Sequence, residues 1–242
     1  MKIVKRILTV LFLIAILLIG YGAWILLGSK TSNPNNYETI GNIPAPWGYK
    51  RINGDDAAYS KFLRALPLKG RGSDVMLYTG GKSRYQSLNY AVVDMPLLSN
   101  AEQCADVCIR LRAEYLFNSG QYSNIRFRDV NGKTMRYSGG ASRKAFESYL
   151  RRVYGLASTY SLSREMQQRP LADMQPGDVF VYAAVDRPGN HKYGHAVMVV
   201  DVAVNKSGKK EVKRITSFLD RYETDDSYFD DCAHECDGIN AC

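Results

Sequence analysis

Two residues of types that carry out covalent catalysis stand at the expected starts of secondary-structure elements. Cys104 opens a stretch with helical spacing of apolar residues, and His195 follows Gly194 at the start of an apolar run that ends at Val200. In cysteine hydrolases a thiolate attacks the substrate, a helix N-terminus and an imidazolium favour its ionisation, and the histidine then protonates the leaving group. The pair therefore predicts a cysteine hydrolase with Cys104 as nucleophile and His195 as general base and acid.

Each of these residues also has a simpler structural interpretation. The helix expected over residues 103–117 places one set of side chains on a single face with helical spacing, namely Cys104, Val107, Cys108, Leu111 and Tyr115. Cysteine is among the residues most often buried, so a small core side chain is the alternative role of Cys104. For His195 the alternative is a histidine that is hydrogen-bonded at a strand edge.

The opposite face of the same helix is charged. Asp106, Arg110 and Glu114 are spaced for two attractive i,i+4 ion pairs. We expect this face to be solvated or only partly buried, while the apolar face packs on the rest of the protein.

The remaining patterns predict an α+β fold. Helical spacing recurs at residues 59–66, 146–154 and, more briefly, 162–166. Strands are expected in pairs around turns, at residues 75–78 and 90–95, 125–127 and 134–137, and 179–182 and 196–200. We therefore expect a mostly antiparallel sheet packed by two or three helices.

The N-terminus predicts a membrane anchor. Lys2, Lys5 and Arg6 precede an uncharged run of twenty-one residues, 7–27, which is long enough to cross a bilayer as a helix. The expected location is the inner membrane, as a single-pass protein with its body in the periplasm or outside the cell. A cleaved signal peptide is the alternative.

This anchor divides the chain into four segments. We expect an anchor over residues 1–28, a tether over 29–56, a globular domain over 57–218 and an acidic tail over 219–242. The tail holds eight acidic residues and one basic residue, so 31 basic and 16 acidic residues remain upstream. Such a basic body suits an anionic surface such as lipid headgroups or an acidic wall polymer, and its scattered charges disfavour nucleic acid.

The cysteines of the tail do not form a recognisable metal motif. Cys232, Cys236 and Cys242, with His234 among them, lack the regular spacing of zinc sites, so we expect a mobile tail rather than a metal centre. No cofactor is predicted.

Several motifs resemble known families. A helix-start cysteine followed by a Gly-Asp strand (177–180) and a Gly-His strand (194–197) is loosely similar to the papain-like NlpC-type cell-wall hydrolases, which have Asp-Cys-Ser-Gly where this chain has Gln-Cys-Ala-Asp at 103–106. The same motifs, together with residues 62–69 and 110–116, resemble domain of unknown function 4846, a family of bacterial envelope proteins, over residues 46–210. That resemblance implies an envelope protein and names no activity.

Two functions follow from these patterns. The first is a membrane-anchored cysteine hydrolase that acts on amide bonds of cell-wall peptides through Cys104 and His195. The second is a non-catalytic envelope protein that uses the same fold to bind wall material or a membrane partner. A reactive Cys104 thiol distinguishes the first from the second.

Overall fold

The computed structural model describes residues 9–10, 12–20, 32–77, 80–83, 86, 89–182 and 194–215. Within these residues the chain forms five helices and six strands in two antiparallel sheets. The mixed α+β class and the antiparallel sheets are therefore as predicted, whereas the expected number of helices was too low. His191 and the tail residues Cys232, His234, Cys236 and Cys242 lie outside the described residues.

The helices and strands are interspersed along the chain. The helices are α1 (9–10 and 12–20), α2 (Ala57–Arg64), α3 (Cys104–Asn118), α4 (Arg143–Tyr154) and α5 (Thr159–Glu165). The strands are β1 (Tyr49–Ile52), β2 (Arg126–Arg128), β3 (Thr134–Arg136), β4 (Val179–Tyr182), β5 (His195–Asn205) and β6 (Lys210–Ile215).

Strand β5 is the centre of the larger sheet. Residues 195–198 of this strand pair with β4, and residues 202–205 pair with β1. Strand β6 pairs with residues between 198 and 204, and all three pairings are antiparallel. Because β6 overlaps both of the others in register, β4 and β1 lie end to end on the edge of β5 opposite β6. A run of β-branched and apolar residues suits a strand that is paired on both edges and buried through most of its length.

Two apolar clusters cover the two faces of β5. The main cluster joins α2, α3, α4 and α5 to one face through Ala196, Met198 and Val200. The second, smaller cluster includes Val199 and Val202. A β-bulge between Val199 and Asp201 shifts the alternation of side chains at this point.

Local sequence signals explain most of the helices. Asp56 accepts a hydrogen bond from the Tyr59 amide at the start of α2, and Ser142 does the same for Ala145 at the start of α4. Helices were predicted at all four of the positions that α2 to α5 occupy. The Asn-Gly hairpin is also as predicted, since β2 pairs with β3.

Two local predictions were wrong. Residues 75–77 and 89–95 contribute only isolated bridges, Met76 with Lys82 and Val93 with Leu68, rather than a two-stranded hairpin. Residues 49–52, which the sequence placed in a tether, form β1 and pair with residues 202–205. A strand of four residues is too short to show a clear alternation of side chains. Its partner lies about 150 positions away, so no nearby turn indicates the pairing either.

Helix α1 carries apolar side chains that no other described part of the protein covers. Phe12, Leu17 and Ile19 are each more than half exposed. Of the helices that the structure describes, none combines the length and the apolar character needed to cross a membrane.

Candidate active site

Cys104 is the first residue of α3, as the sequence predicts. The helix is capped from Gln103, whose amide donates to Asp106 Oδ2 at 2.9 Å and whose carbonyl accepts the Val107 amide. The Cys104 side chain is half-buried and packs against the main apolar cluster. The thiol therefore combines a place at a helix N-terminus with contact to the core.

Cys108, one turn further along α3, differs from Cys104 in its exposure. It is buried, its sulfur lies 3.4 Å from the Cys104 carbonyl oxygen, and burial raises the pKa of its thiol well above the ordinary range. A buried thiol with a raised pKa is inert, so Cys108 is a core side chain. Both cysteines are free thiols.

His195 is the first residue of β5 and is half-buried. It lies opposite Tyr182 in the register of the β4–β5 pair, and the hydroxyl of Thr159 on α5 donates to the neighbouring Gly194 carbonyl at 3.3 Å. Burial lowers the pKa of the imidazole. The ring is therefore neutral at pH 7, the form that accepts a proton.

The two predicted site residues sit on elements that touch. Helix α3 packs against β5, and the chain order places Cys104 and His195 each at the first residue of its element. The described structure thus brings the cysteine helix onto the histidine strand. Asp201, further along β5, forms ion pairs with Arg51, Arg64 and Lys213 and is not part of the Cys104 and His195 site.

The charged face of α3 is buried, contrary to the expectation of a solvated or partly buried face. Asp106, Arg110 and Glu114 are buried, with Arg110 only 2% exposed. Arg110 Nη1 donates to both carboxylate oxygens of Glu102, at 2.8 and 3.0 Å, and to the Pro96 carbonyl. Glu114 receives two hydrogen bonds of 2.6 Å from Arg143 on α4. The loop before α3 and helix α4 therefore cover this face.

This buried polar cluster is only partly satisfied. Among the described residues, Asp106 Oδ1, Arg110 Nε and the Tyr154 hydroxyl are buried and have no hydrogen-bond partner, and Arg110 Nε lies 3.7 Å from Glu114, too far for a hydrogen bond. Burial raises the pKa of Asp106 to about 7, against the opposing effect of the Gln103 amide and with a contribution from the Glu102 charge. The sequence offered one signal for this burial: Ile109, Ala113 and Leu116 are also apolar, so α3 has no purely polar side.

Metal ligation has no support in the described residues. No group of three or more histidine, cysteine, aspartate or glutamate side chains is arranged there to hold a metal ion. The chemistry that the described residues offer is that of a thiol, an imidazole and buried carboxylates.

Comparison with known proteins identifies the family. The family model described as Domain of unknown function (4846) matches residues 40–142 and 138–221, which together make up most of the chain. No curated protein matches the chain, and no solved structure matches it. The likeness to papain-like hydrolases therefore remains a prediction from sequence. The chain belongs to the family of domain of unknown function 4846.

Proposed function

We propose that the protein is a membrane-anchored cysteine hydrolase of the cell envelope that cleaves amide bonds in wall peptides. The observation that carries the proposal is the packing of α3 on β5, because the helix begins at Cys104 and the strand begins at His195. Cysteine hydrolases need a nucleophile and a base within hydrogen-bond reach, and the packing of these two elements supports such a pair. The proposal includes a loosely papain-like fold.

The reaction follows from these two side chains. Neutral His195 accepts the Cys104 proton, and the thiolate attacks the amide carbonyl to form a carbon–sulfur bond. The imidazolium then protonates the departing nitrogen as the carbon–nitrogen bond breaks. Water, deprotonated by His195, attacks the thioester; the carboxylic acid leaves and the thiol is restored.

The membrane part of the proposal uses residues 7–27. The exposed apolar side chains of α1 suit contact with lipid rather than water, and basic residues precede them. The body would then lie on the periplasmic or outer side of the inner membrane, where wall peptides are found. The basic upstream residues would favour an anionic surface there.

The test is the reactivity of Cys104 in the full chain. With iodoacetamide at pH 7 and peptide mapping by mass spectrometry, we expect Cys104 to be alkylated at least about tenfold faster than an ordinary thiol, whose pKa is about 8.5. His195→Ala should lower that rate to the ordinary value, whereas His191→Ala, the matched histidine control, should not. Cys108 serves as an internal buried reference.

Turnover is the second readout. Cys104→Ser should abolish the release of new amino groups from wall peptides without changing the fold. Alkylation of Cys104 only at the rate of an ordinary thiol, unaffected by His195→Ala, would contradict the proposal.

One observation favours the second candidate, a non-catalytic envelope protein that binds wall material or a membrane partner. The Cys104 side chain packs against the main apolar cluster, as a core residue does. In that case Cys104→Ser leaves wall binding unchanged. A sedimentation assay of the full chain with isolated wall material measures this directly.

A further inference from the structure

Trp47 stands out among the large apolar side chains that the structure describes, because it is 100% exposed. It lies in a tight turn in which the Tyr49 amide donates to the Pro46 carbonyl at 3.0 Å. Gly48 has φ of +81°, a conformation that glycine adopts without strain. The indole is therefore held outward at the start of β1 by a defined turn.

Lysines of a second turn lie at the same end of the sheet. Tyr49 pairs with Asn205, so the Trp47 turn adjoins the turn between β5 and β6, which contains the exposed Lys206 and Lys209. The Asn205 side-chain oxygen accepts the amides of Ser207 and Lys209 and fixes this turn. Lys50, on β1, is also exposed.

We call Trp47, Lys50, Lys206 and Lys209 the Trp47 tip. Lys209 of this tip contacts Glu211 at 3.4 Å, and an exposed pair of this kind contributes little. An indole among ammonium groups suits the boundary between headgroups and acyl chains, where tryptophan is enriched. Each lysine near an anionic lipid surface adds to the attraction.

The anchor in the proposed function, on which this step rests, keeps the body close to such a surface. Asn33 is fully buried, and its side-chain amide donates to the carbonyls of Tyr37 and Lys69, so the packed body begins there. Only residues 28–31 and Ser32 separate the predicted span 7–27 from Asn33. At about 3.5 Å per residue, this linker reaches no more than ~20 Å.

We propose that the Trp47 tip docks on the anionic phospholipid surface of the membrane that holds residues 7–27 of the same chain. The indole enters the headgroup layer and the lysines bind lipid phosphates. Two attachments, the anchor before the short linker and the tip on the body after it, then fix the orientation of the body over the bilayer.

The two tryptophans of the chain allow a direct test. Trp24→Phe leaves Trp47 as the only tryptophan, which is excited selectively at wavelengths that tyrosine does not absorb, and Trp47→Phe leaves Trp24, which lies in the predicted span. Full-length protein is reconstituted into vesicles of phosphatidylcholine with or without phosphatidylglycerol, and quenching by brominated lipid is measured. We expect brominated lipid to quench Trp47 at least about twofold in the anionic vesicles and clearly less in the neutral ones.

Charge variants distinguish lipid binding by the lysines of the tip from the attraction of the whole basic protein to an anionic membrane. Lys206→Ser with Lys209→Ser should lower the quenching of Trp47 in anionic vesicles, whereas Lys144→Ser, an exposed lysine on α4, should not. Trp47 that stays unquenched in anionic vesicles overturns the proposal, and so does an emission change produced by soluble wall fragments instead of lipid. Trp24 tests the anchor separately. If Trp24 is quenched and Trp47 is not, the docking of the tip is rejected and the anchor is retained. If Trp24 is not quenched, the anchor itself is rejected.

Discussion

Asp106 and Asp201 are two buried aspartates in different parts of the molecule, and their carboxyl pKa values shift in opposite directions. Their exposed fractions are 4% and 3%. Burial by itself raises the pKa of both, but hydrogen bonds from Arg51, Lys213 and Arg64 reverse the effect at Asp201, whose pKa is lowered. Asp106 accepts one backbone amide through Oδ2, has an unpartnered Oδ1 and faces the charge of Glu102. Burial is thus the largest cause of the raised pKa of Asp106, whereas at Asp201 three cationic partners outweigh burial.

The comparison extends to the surroundings of each residue. Three cations meet one carboxylate at Asp201, so that cluster has excess positive charge. Around α3, the carboxyl groups of Glu102, Asp106 and Glu114 outnumber the nearby cations, Arg110 and Arg143. In these surroundings burial raises the pKa of Asp106 to about 7, and the charge of Glu102 adds to the effect.

The largest effect is expected from removing the cation of the α3 cluster. Arg110→Met leaves Glu102, which is 1% exposed, as a buried charge without its ion pair. Removing one partner of a buried pair costs about 3–5 kcal/mol of unfolding free energy. Denaturant unfolding of the full chain in detergent measures the loss. Arg151→Met, whose exposed pair with Glu147 spans 3.5 Å, is the control and should cost less than ~1 kcal/mol. Equal losses in the two variants would show that the cluster is not stabilised by its ion pair.

A smaller effect is expected at Asp201. Asp201→Asn keeps one hydrogen-bond acceptor but leaves three cations without a counter-charge, and we expect a loss of about 2 kcal/mol at pH 7. Because the folded pKa is lowered, the stability from this carboxylate is present above the unfolded pKa of about 3.9 and is lost as the pH falls further. Unfolding measured from neutral to acid pH should therefore show a steeper acid loss in the wild type than in the variant. Parallel curves would contradict the role of the three cations.

The smallest effect, with the opposite pH dependence, is expected at Asp106. The folded pKa of Asp106, about 7, lies above the unfolded value. The contribution of Asp106 to the free energy of unfolding is therefore greatest at low pH and falls as the pH rises toward and through 7. Asp106→Asn removes this titration and keeps an oxygen for the Gln103 amide. We expect the variant to be more stable than the wild type at pH 8 by at least about 1.4 kcal/mol, the equivalent of one pKa unit, and to match it near pH 4. A variant that is less stable at pH 8 would show that Asp106 is charged and paired in the folded protein.

The contrast also explains what the sequence predicted well and what it did not. The bounds of α3 follow from the spacing of Cys104, Val107, Leu111 and Tyr115, because helical periodicity is a local property. The burial of its charged face depends on Glu102 and Arg143, which approach from a loop and from another helix. Local spacing predicts that Asp106, Arg110 and Glu114 share a face, but it does not predict what covers that face.

The same limit applies to Asp201. Arg51 and Arg64 precede it by 150 and 137 positions, so their convergence on one carboxylate depends on the register of the sheet and on the bulge beside Val199. The positions of Cys104 at a helix start and of His195 at a strand start are local features, and the two elements begin at these residues as the sequence predicts. The packing of their two elements is a tertiary property and emerged only from the fold.

The central place of β5 has a consequence for how the protein folds. Strands β1, β4 and β6 each pair with β5, so the larger sheet cannot begin to form until residues 195–205 have left the ribosome. The early segment 49–52 must wait for a partner about 150 residues later, and such distant pairings make folding slow. Meanwhile the hairpin β2–β3 and helices α2 to α5 can form from contacts closer in sequence. The larger sheet therefore forms last, when β5 becomes available. A truncation before β5 would remove this sheet entirely rather than shorten it.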